Sequence, residues 1–264
     1  MSNESVIISI MIKAVRKAGK GLIRDFGEVE NLQVSKKGPG DFVSVADKKA
    51  EKIIHSDLSY ARPDYGFLME EAGEIKGKDE NFRWIVDPLD GTMNFLHGLP
   101  HFCISIALEE KKHSGKREII AGVTYLPITG EIYWAEKGCG AWLDSDNHIS
   151  RLRMANRSKI GDALVSIGSM KQDYKLINSL VDSVGNSIRC VGSSAIALAY
   201  VASGKYDTFI QDDFCLWDVA AGALLVSEAG GYVASISGHS DFIKKGSILA
   251  TNEALQPQFV KALK

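Results

Sequence analysis

The stretch Trp84-Ile85-Val86-Asp87-Pro88-Leu89-Asp90-Gly91-Thr92-Met93-Asn94-Phe95 carries most of the information in this chain. Its first three residues form a short apolar run that reads as a buried strand ending at Val86. Two carboxylates follow at a spacing of three. Pro88 has no N–H to offer a sheet ladder and stiffens the exit from the strand. Gly91 permits a tight turn or a close approach of backbone. Thr92 and Asn94 can open a short helix, whose free N–H groups favour an anion. One segment thus offers carboxylates for a cation beside backbone donors for a phosphate. Asp-Pro and Asp-Gly are also ordinary turn dipeptides, so taken alone the segment leaves both readings open.

Acids recur at comparable places along the chain. Glu70 and Glu71 follow the short apolar run Tyr65–Met69, and Trp217-Asp218 opens an apolar helix far downstream. Asp47 ends the strand-like alternation Val43–Asp47, before Ala50, Ile53, Ile54 and Leu58 recur at helical spacing. If Glu70, Asp87, Asp90 and Asp218 converge, each pair at ~5 Å repels by roughly 3 kcal/mol at an effective dielectric of about 20. Such a cluster needs a cation, or some of its members must protonate. An all-oxygen set without His or Cys selects a hard ion, Mg²⁺ before Mn²⁺ or Ca²⁺. Two such ions sharing carboxylates make a phosphoryl-transfer site.

Around these acids the chain divides by pattern. Phe102–Leu108, Ile119–Tyr125 and Glu131–Ala135 alternate or are β-branched, and Leu126–Gly130 is a turn signal between the last two, predicting an antiparallel sheet flanked by helices. After Asp144–Asn147 short strand candidates (Leu164–Ile167, Ser187–Val191, Thr208–Ile210, Tyr232–Val233, Ile248–Thr251) alternate with helical stretches (Tyr174–Val184, Ala195–Ala202, Val219–Ala229, Glu253–Leu263), the mark of an α/β lobe. No linker separates the two parts. The expectation is one domain, residues 1–264, with an α+β half (about 1–145), an α/β half (about 146–264) and a site at their junction.

Composition excludes several classes. The 264 residues are 45% apolar and 24% charged, which excludes disorder. With 31 basic and 33 acidic residues there is no footprint for direct nucleic-acid binding. No apolar run approaches the ~20 residues that span a bilayer. Ser5–Phe26 resembles a targeting or membrane-surface helix, but reads more simply as a docked amphipathic helix with a solvated basic face. Cys103, Cys139, Cys190 and Cys215 are widely spaced; buried free thiols in a cytoplasmic protein fit this pattern better than two disulfides.

Met69-Glu70-Glu71, the Trp84–Phe95 stretch, Leu216-Trp217-Asp218-Val219-Ala220-Ala221-Gly222 and Ser227-Glu228-Ala229-Gly230-Gly231 together resemble the inositol monophosphatase family, in order and in separation. The closest likeness is to bacterial members of the extragenic-suppressor type. The resemblance implies a layered αβαβα fold, a homodimer and a Mg²⁺-dependent phosphomonoesterase acting on inositol-1-phosphate, with two or three ions per site and Mn²⁺ as a possible substitute. It implies that Glu70, Asp87, Asp90, Asp218 and the carbonyl of Leu89 hold metal. Thr92, hydrogen-bonded to Asp47, would orient and help deprotonate the attacking water, with Glu70 on its other side. The N–H groups of Gly91 and Thr92 would hold the phosphate, beside Glu70, Leu89, Asp90 and Asp218. Gly192, Ser193 and Ser194 would meet substrate hydroxyls, and Lys36 would lie near the entrance.

Each role has a plainer counterpart. Asp47 and Gly192–Ser194 are equally helix caps, Lys36 and Lys37 a solvated loop, and Trp217 packing. Met69 and Met93 depart from the small residues usual at those places. Gln211 stands where many relatives have Glu against sugar hydroxyls; it keeps an acceptor but loses the charge. Fructose-1,6-bisphosphatase, nucleotide 3′-phosphatase and histidinol-phosphatase are rival activities of related families; a nucleotide enzyme needs an aromatic or apolar wall with no clear candidate here, while Lys36 and Lys37 keep a bisphosphatase open. A different class also stays open, a regulatory protein binding a transcription or RNA-processing complex.

Overall fold

A computed structural model describes residues 4–28, 34–38, 41–146, 148–168 and 174–263. The chain begins with α1 (Val6–Phe26), the hairpin strands β1 (Val34–Gly38) and β2 (Asp41–Ser44), and α2 (Val45–Ala61). Then come β3 (Tyr65–Met69), β4 (Gly73–Ile75), β5 (Asp79–Asp90) and the short α3 (Thr92–Leu96). Five strands follow: β6 (Cys103–Lys111), β7 (Arg117–Tyr125), β8 (Ile132–Glu136), β9 (Gly140–Ser145) and β10 (His148–Arg151). The remainder alternates: β11 (Val165–Ile167), α4 (Tyr174–Val184), β12 (Ile188–Arg189), α5 (Ser194–Ala202), β13 (Thr208–Asp212) and α6 (Leu216–Glu228). It closes with β14 (Tyr232–Ala234), α7 (Phe242–Lys245), β15 (Ser247–Thr251) and α8 (Gln256–Ala262).

Two sheets result. The first has eight strands in the order β10-β9-β8-β7-β6-β5-β3-β4, antiparallel except for the β3–β5 pair. The second has five, β12-β11-β13-β15-β14, with β11 parallel to both neighbours and β15 antiparallel to both of its own. The first sheet runs on to Arg151, a few residues beyond the change of pattern expected near residue 145, because β10 pairs antiparallel with β9, His148 beside Ser145 and Ile149 beside Asp144.

Period-2 alternation assigns the layers. On β8, Ile132 and Trp134 face α1 and α2, whereas Tyr133 and Ala135 face α5 and α6. On β13 and β15, Phe209, Ile248 and Ala250 face α5 and α6, while Ile210 and Leu249 face α4 and α8. Five layers therefore stack as α1/α2, first sheet, α5/α6, second sheet, α4/α8, the expected αβαβα sandwich. The outer layer is held as its sequence predicts: Ile8, Met11, Val15, Ala18 and Leu22 of α1 are buried, and Lys13, Arg16, Lys17, Lys20 and Arg24 are exposed. Each large apolar side chain so buried contributes about 2 kcal/mol before its ordering entropy is counted. Among the described residues no helix is long and apolar enough to cross a membrane.

Three local expectations are corrected. The strand at Trp84 does not end at Val86. Its ladder with β6 skips across a bulge and resumes at Asp90, opposite Cys103, so Pro88 sits in the one stretch where its missing N–H costs no ladder bond. The Val43–Asp47 alternation is half strand and half helix: α2 begins at Val45, which places Asp47 in its first turn. All four cysteines are free, but only Cys103 is buried; the other three are exposed.

Candidate active site

Strand register brings the acids together. In the parallel β3–β5 pair Met69 stands beside Val86, so the next residues, Glu70 and Asp87, lie side by side just past the end of that pairing. Glu70 N–H donates to the Val86 carbonyl at 3.2 Å, which fixes that corner. The Glu71 N–H donates to Glu51 Oε2 at 2.9 Å, anchoring the same corner to α2. Opposite Asp87 on β6 lies Ser105, whose hydroxyl donates to the Trp217 carbonyl at 3.4 Å. That contact seats the first turn of α6, and with it Asp218, over the same sheet end. Asp47 arrives from the first turn of α2.

Local bonds then orient each side chain. Asp87 Oδ1 accepts the Leu89 N–H at 3.0 Å across the bulge. Asp218 Oδ2 accepts the Cys215 N–H at 2.9 Å, closing the start of α6. Asp90 Oδ2 accepts from Ser193 Oγ and from the Ala195 N–H, each at 2.7 Å, with the Cys103 thiol 3.9 Å away. Thr92 Oγ1 donates to the Leu89 carbonyl at 2.9 Å. Gly91 sits at φ 95°, and a Cβ there would lie 2.7 Å from the His101 carbonyl oxygen, so only glycine fits between the acidic turn and β6.

Burial dominates the electrostatics, with like charge adding to it at Glu70, Asp87 and Asp218. Burial, then Asp47, pushes the Glu70 carboxyl up to about 7, although a hydrogen bond with Asp87 pulls the other way. Burial, then Glu70 and Asp90, raises Asp87 well above the usual carboxylate range. Asp218 is pushed up to about 8 by burial and by Asp90. Asp90 rises only to about 6, because Ser193 and the Ala195 N–H stabilise its charged form. None of the leading influences on these four carboxyls is a cation. Among the described residues no three His, Cys, Asp or Glu side chains close around a point that would hold an ion as they stand. The donor chemistry nonetheless fits a hard divalent ion: four mutually repelling carboxylates and a backbone carbonyl, with no nitrogen or sulfur ligand.

The second half supplies the facing wall. Ser193 caps α5, accepting the Ile196 N–H at 3.2 Å, and its hydroxyl also donates to Asp90. Ser194 Oγ donates to Gln211 Oε1 at 2.6 Å, and Gln211 Nε2 reaches the Asp213 carbonyl at 3.3 Å. Gly192, at φ 74°, packs against Asn94. The structure thus gathers Asp47, Glu70, Asp87, Leu89, Asp90, Gly91, Thr92, Gly192, Ser193, Ser194, Gln211 and Asp218. The backbone of Lys36 lies in β1; its side chain falls outside the described residues, as do Pro39 and Gly40. Sequence reading missed the Ala195 N–H and Cys103. A backbone donor leaves no mark in side-chain pattern, and Cys103 becomes a neighbour of Asp90 only through the register beyond the bulge. A separate concavity of about 740 Å³, lined by residues such as Arg151, Met154, Glu228 and Asn252, contains none of these acids.

Comparison with known proteins agrees with this geometry. The model of the inositol monophosphatase family matches residues 3–264. The inositol-1-monophosphatase of Mesorhizobium japonicum is 47% identical over 98% of this chain and 97% of its own. The Nus factor SuhB of Escherichia coli K12 is 35% identical over 97% of this chain and 94% of its own. Among solved structures, the extragenic suppressor protein suhB of Bartonella henselae superposes with a TM-score of 0.91 at 47% identity, covering 98% of this chain and 99% of that one. The IMPase of Thermotoga maritima superposes at 0.85 with 33% identity, covering 98% and 96%. A family match across almost the whole length, with relatives 47% identical over 98% of the chain, means that this chain belongs to the inositol monophosphatase family of phosphatases.

Proposed function

We propose that this phosphatase hydrolyses inositol-1-phosphate with Mg²⁺, two or three ions per site, Mn²⁺ serving as a substitute. The observation that carries the reading is the convergence of four carboxyls, Glu70, Asp87, Asp90 and Asp218, the second buried and the others half-buried, at one end of the first sheet. These four and the Leu89 carbonyl would hold the metal. Bound there, Mg²⁺ would lower the pKa of water and offset charge on the phosphoryl oxygens.

The chain's own groups do the remaining work. The Thr92 hydroxyl orients the attacking water, whose one proton passes toward Asp47, and Glu70 lies on the water's other side. Gly91 and Thr92 offer backbone N–H donors to the phosphate oxygens, where charge grows in the transition state. The hydroxyls of Ser193 and Ser194, the Gly192 backbone and the Gln211 carboxamide meet the hydroxyls of the polyol. Lys36 would supply positive charge that favours an anionic ester. The protein works as a cytoplasmic homodimer.

Phosphate release from inositol-1-phosphate, fructose-1,6-bisphosphate and a 3′-phosphonucleotide, with Mg²⁺ and with EDTA, tests this. Mg²⁺-dependent turnover that favours the inositol ester is expected. Faster turnover of another ester would keep the mechanism and overturn the substrate. A second reading, a role in a transcription complex, is favoured by the relatives named Nus factor SuhB. Retention of RNA polymerase on the immobilised protein at low salt is its expected outcome, and no retained complex would count against it.

A further inference from the structure

Asn94, in α3, touches both halves of the site without being one of its acids. Its Nδ2 donates to the His101 carbonyl at 2.7 Å and to the Val191 carbonyl at 2.8 Å. Both amide hydrogens are thereby used, and two carbonyl acceptors leave only one orientation for the carboxamide. The second acceptor lies 97 residues further along the chain, in the loop that leads into α5. The next residue, Gly192, is held at φ 74°, and a Cβ there would stand 2.9 Å from Asn94 Nδ2. Ser193 and Ala195 follow at once, and both bond Asp90. On the other side, the His101 carbonyl is the atom that a Cβ on Gly91 would strike. A single amide thus grips the backbone on both flanks of Asp90.

We propose that Asn94 is a positioning residue for the carboxylate site. By clamping the Val191–Gly192 backbone to that of His101, it sets where Ser193 and the Ala195 N–H meet Asp90, and so tunes divalent-ion affinity. The inference rests on the reading of Asp90 as a metal ligand. A strut that served only the fold would, when lost, lower melting temperature without changing the affinity of the molecules that remain folded.

The test is Mn²⁺ binding to the full chain, followed by the electron paramagnetic resonance signal of free Mn²⁺. It compares wild type, Asp90→Asn, Asn94→Asp, Gly192→Ala and the Asn94→Asp/Gly192→Ala double variant, with melting curves in EDTA alongside. Asn94→Asp keeps the size but replaces both N–H donors with acceptors facing carbonyls. Gly192→Ala breaks the same contact from the opposite side. Wild type is expected to bind and Asp90→Asn to lose binding. Asn94→Asp and Gly192→Ala should each weaken it about tenfold, the low end of what outer-shell partners cost. The double variant should be little weaker than either single one, because both remove one interaction. A wild type that binds no Mn²⁺ overturns the reading of the acids. A wild type that binds, with a folded Asn94→Asp of equal affinity, overturns the clamp alone, as do losses that multiply in the double variant. If Asn94→Asp does not fold, unchanged affinity in Gly192→Ala overturns it.

Discussion

Strands β5 and β6 carry buried acids at both ends, and the two ends are built differently. At one end Glu109, 3% exposed, faces Arg83 directly across the ladder; Arg83 Nε lies at 2.5 Å and Arg117 at 3.1 Å. At the other end Asp87, 2% exposed, and its neighbours Glu70, Asp90 and Asp218 are raised first by burial, and Glu70, Asp87 and Asp218 then by other acids. Burying an ion costs several kcal/mol, and a partner must offset it. Glu109 has its partner in the covalent chain. The Asp87 group does not, and its carboxyls rise to hold protons instead. An acid placed for the fold brings its own cation, whereas an acid placed for chemistry leaves the position to be filled from solution.

Removing one acid from each end separates the two roles most sharply. Asp90→Asn should lower kcat by at least ~10²-fold, the scale of losing one transition-state contact, while the protein still folds. Phosphate-release kinetics with circular dichroism on the same sample would check it. Near-wild-type turnover would break the assignment. Arg83→Met should do the reverse: it leaves Glu109 underpaired and destabilises by about 3 kcal/mol, with kcat of the folded enzyme unchanged. Urea titration beside the same assay reads both quantities.

A smaller effect has the opposite sign. Asp218→Asn keeps the acceptor for the Cys215 N–H but removes a carboxyl that folding forces to titrate at about 8. In EDTA at about pH 8 the variant should melt above wild type while losing activity. A lower melting temperature would contradict the comparison.

The pH dependence follows from the same groups. Glu70, Asp90 and Asp218 stand at about 7, 6 and 8 in the folded protein, against about 4 in an unfolded chain. The folded state therefore holds protons that the unfolded state releases, and stability in EDTA falls as pH climbs from about 4 to about 8. Melting scans across that window check it; a rise in stability over the same interval would contradict it. Smallest of all, Gln211→Glu should change KM by less than about tenfold, since it adds charge beside Ser194 without touching the acids. Substrate-saturation curves would measure it.

Much of this was legible in the sequence because the acids sit at element boundaries, where apolar runs stop. Most element positions followed from periodicity, including α4 at Tyr174–Val184, whereas the αβαβα order came from the family resemblance. What the sequence withheld was register. Periodicity alone could not place a bulge between Asp87 and Asp90, nor set Cys103 opposite Asp90, nor deliver the Ala195 N–H to the same carboxylate. The hairpin from β9 to β10 was read as a boundary because Asp144–Asn147 is turn-forming, and turn residues do not say whether the next strand stays in the same sheet.

The central claim is that the Asp87 end of these strands is completed by a divalent cation. The most direct test is the melting temperature at about pH 7.5 as Mg²⁺ is titrated from EDTA-treated protein, for wild type and for Asp87→Asn/Asp90→Asn. Ligand binding stabilises in proportion to the logarithm of its concentration above Kd. Wild type should therefore rise steadily with the logarithm of Mg²⁺, and the double variant should stay flat. A folded wild type that does not respond, or a double variant that responds equally, would contradict the account.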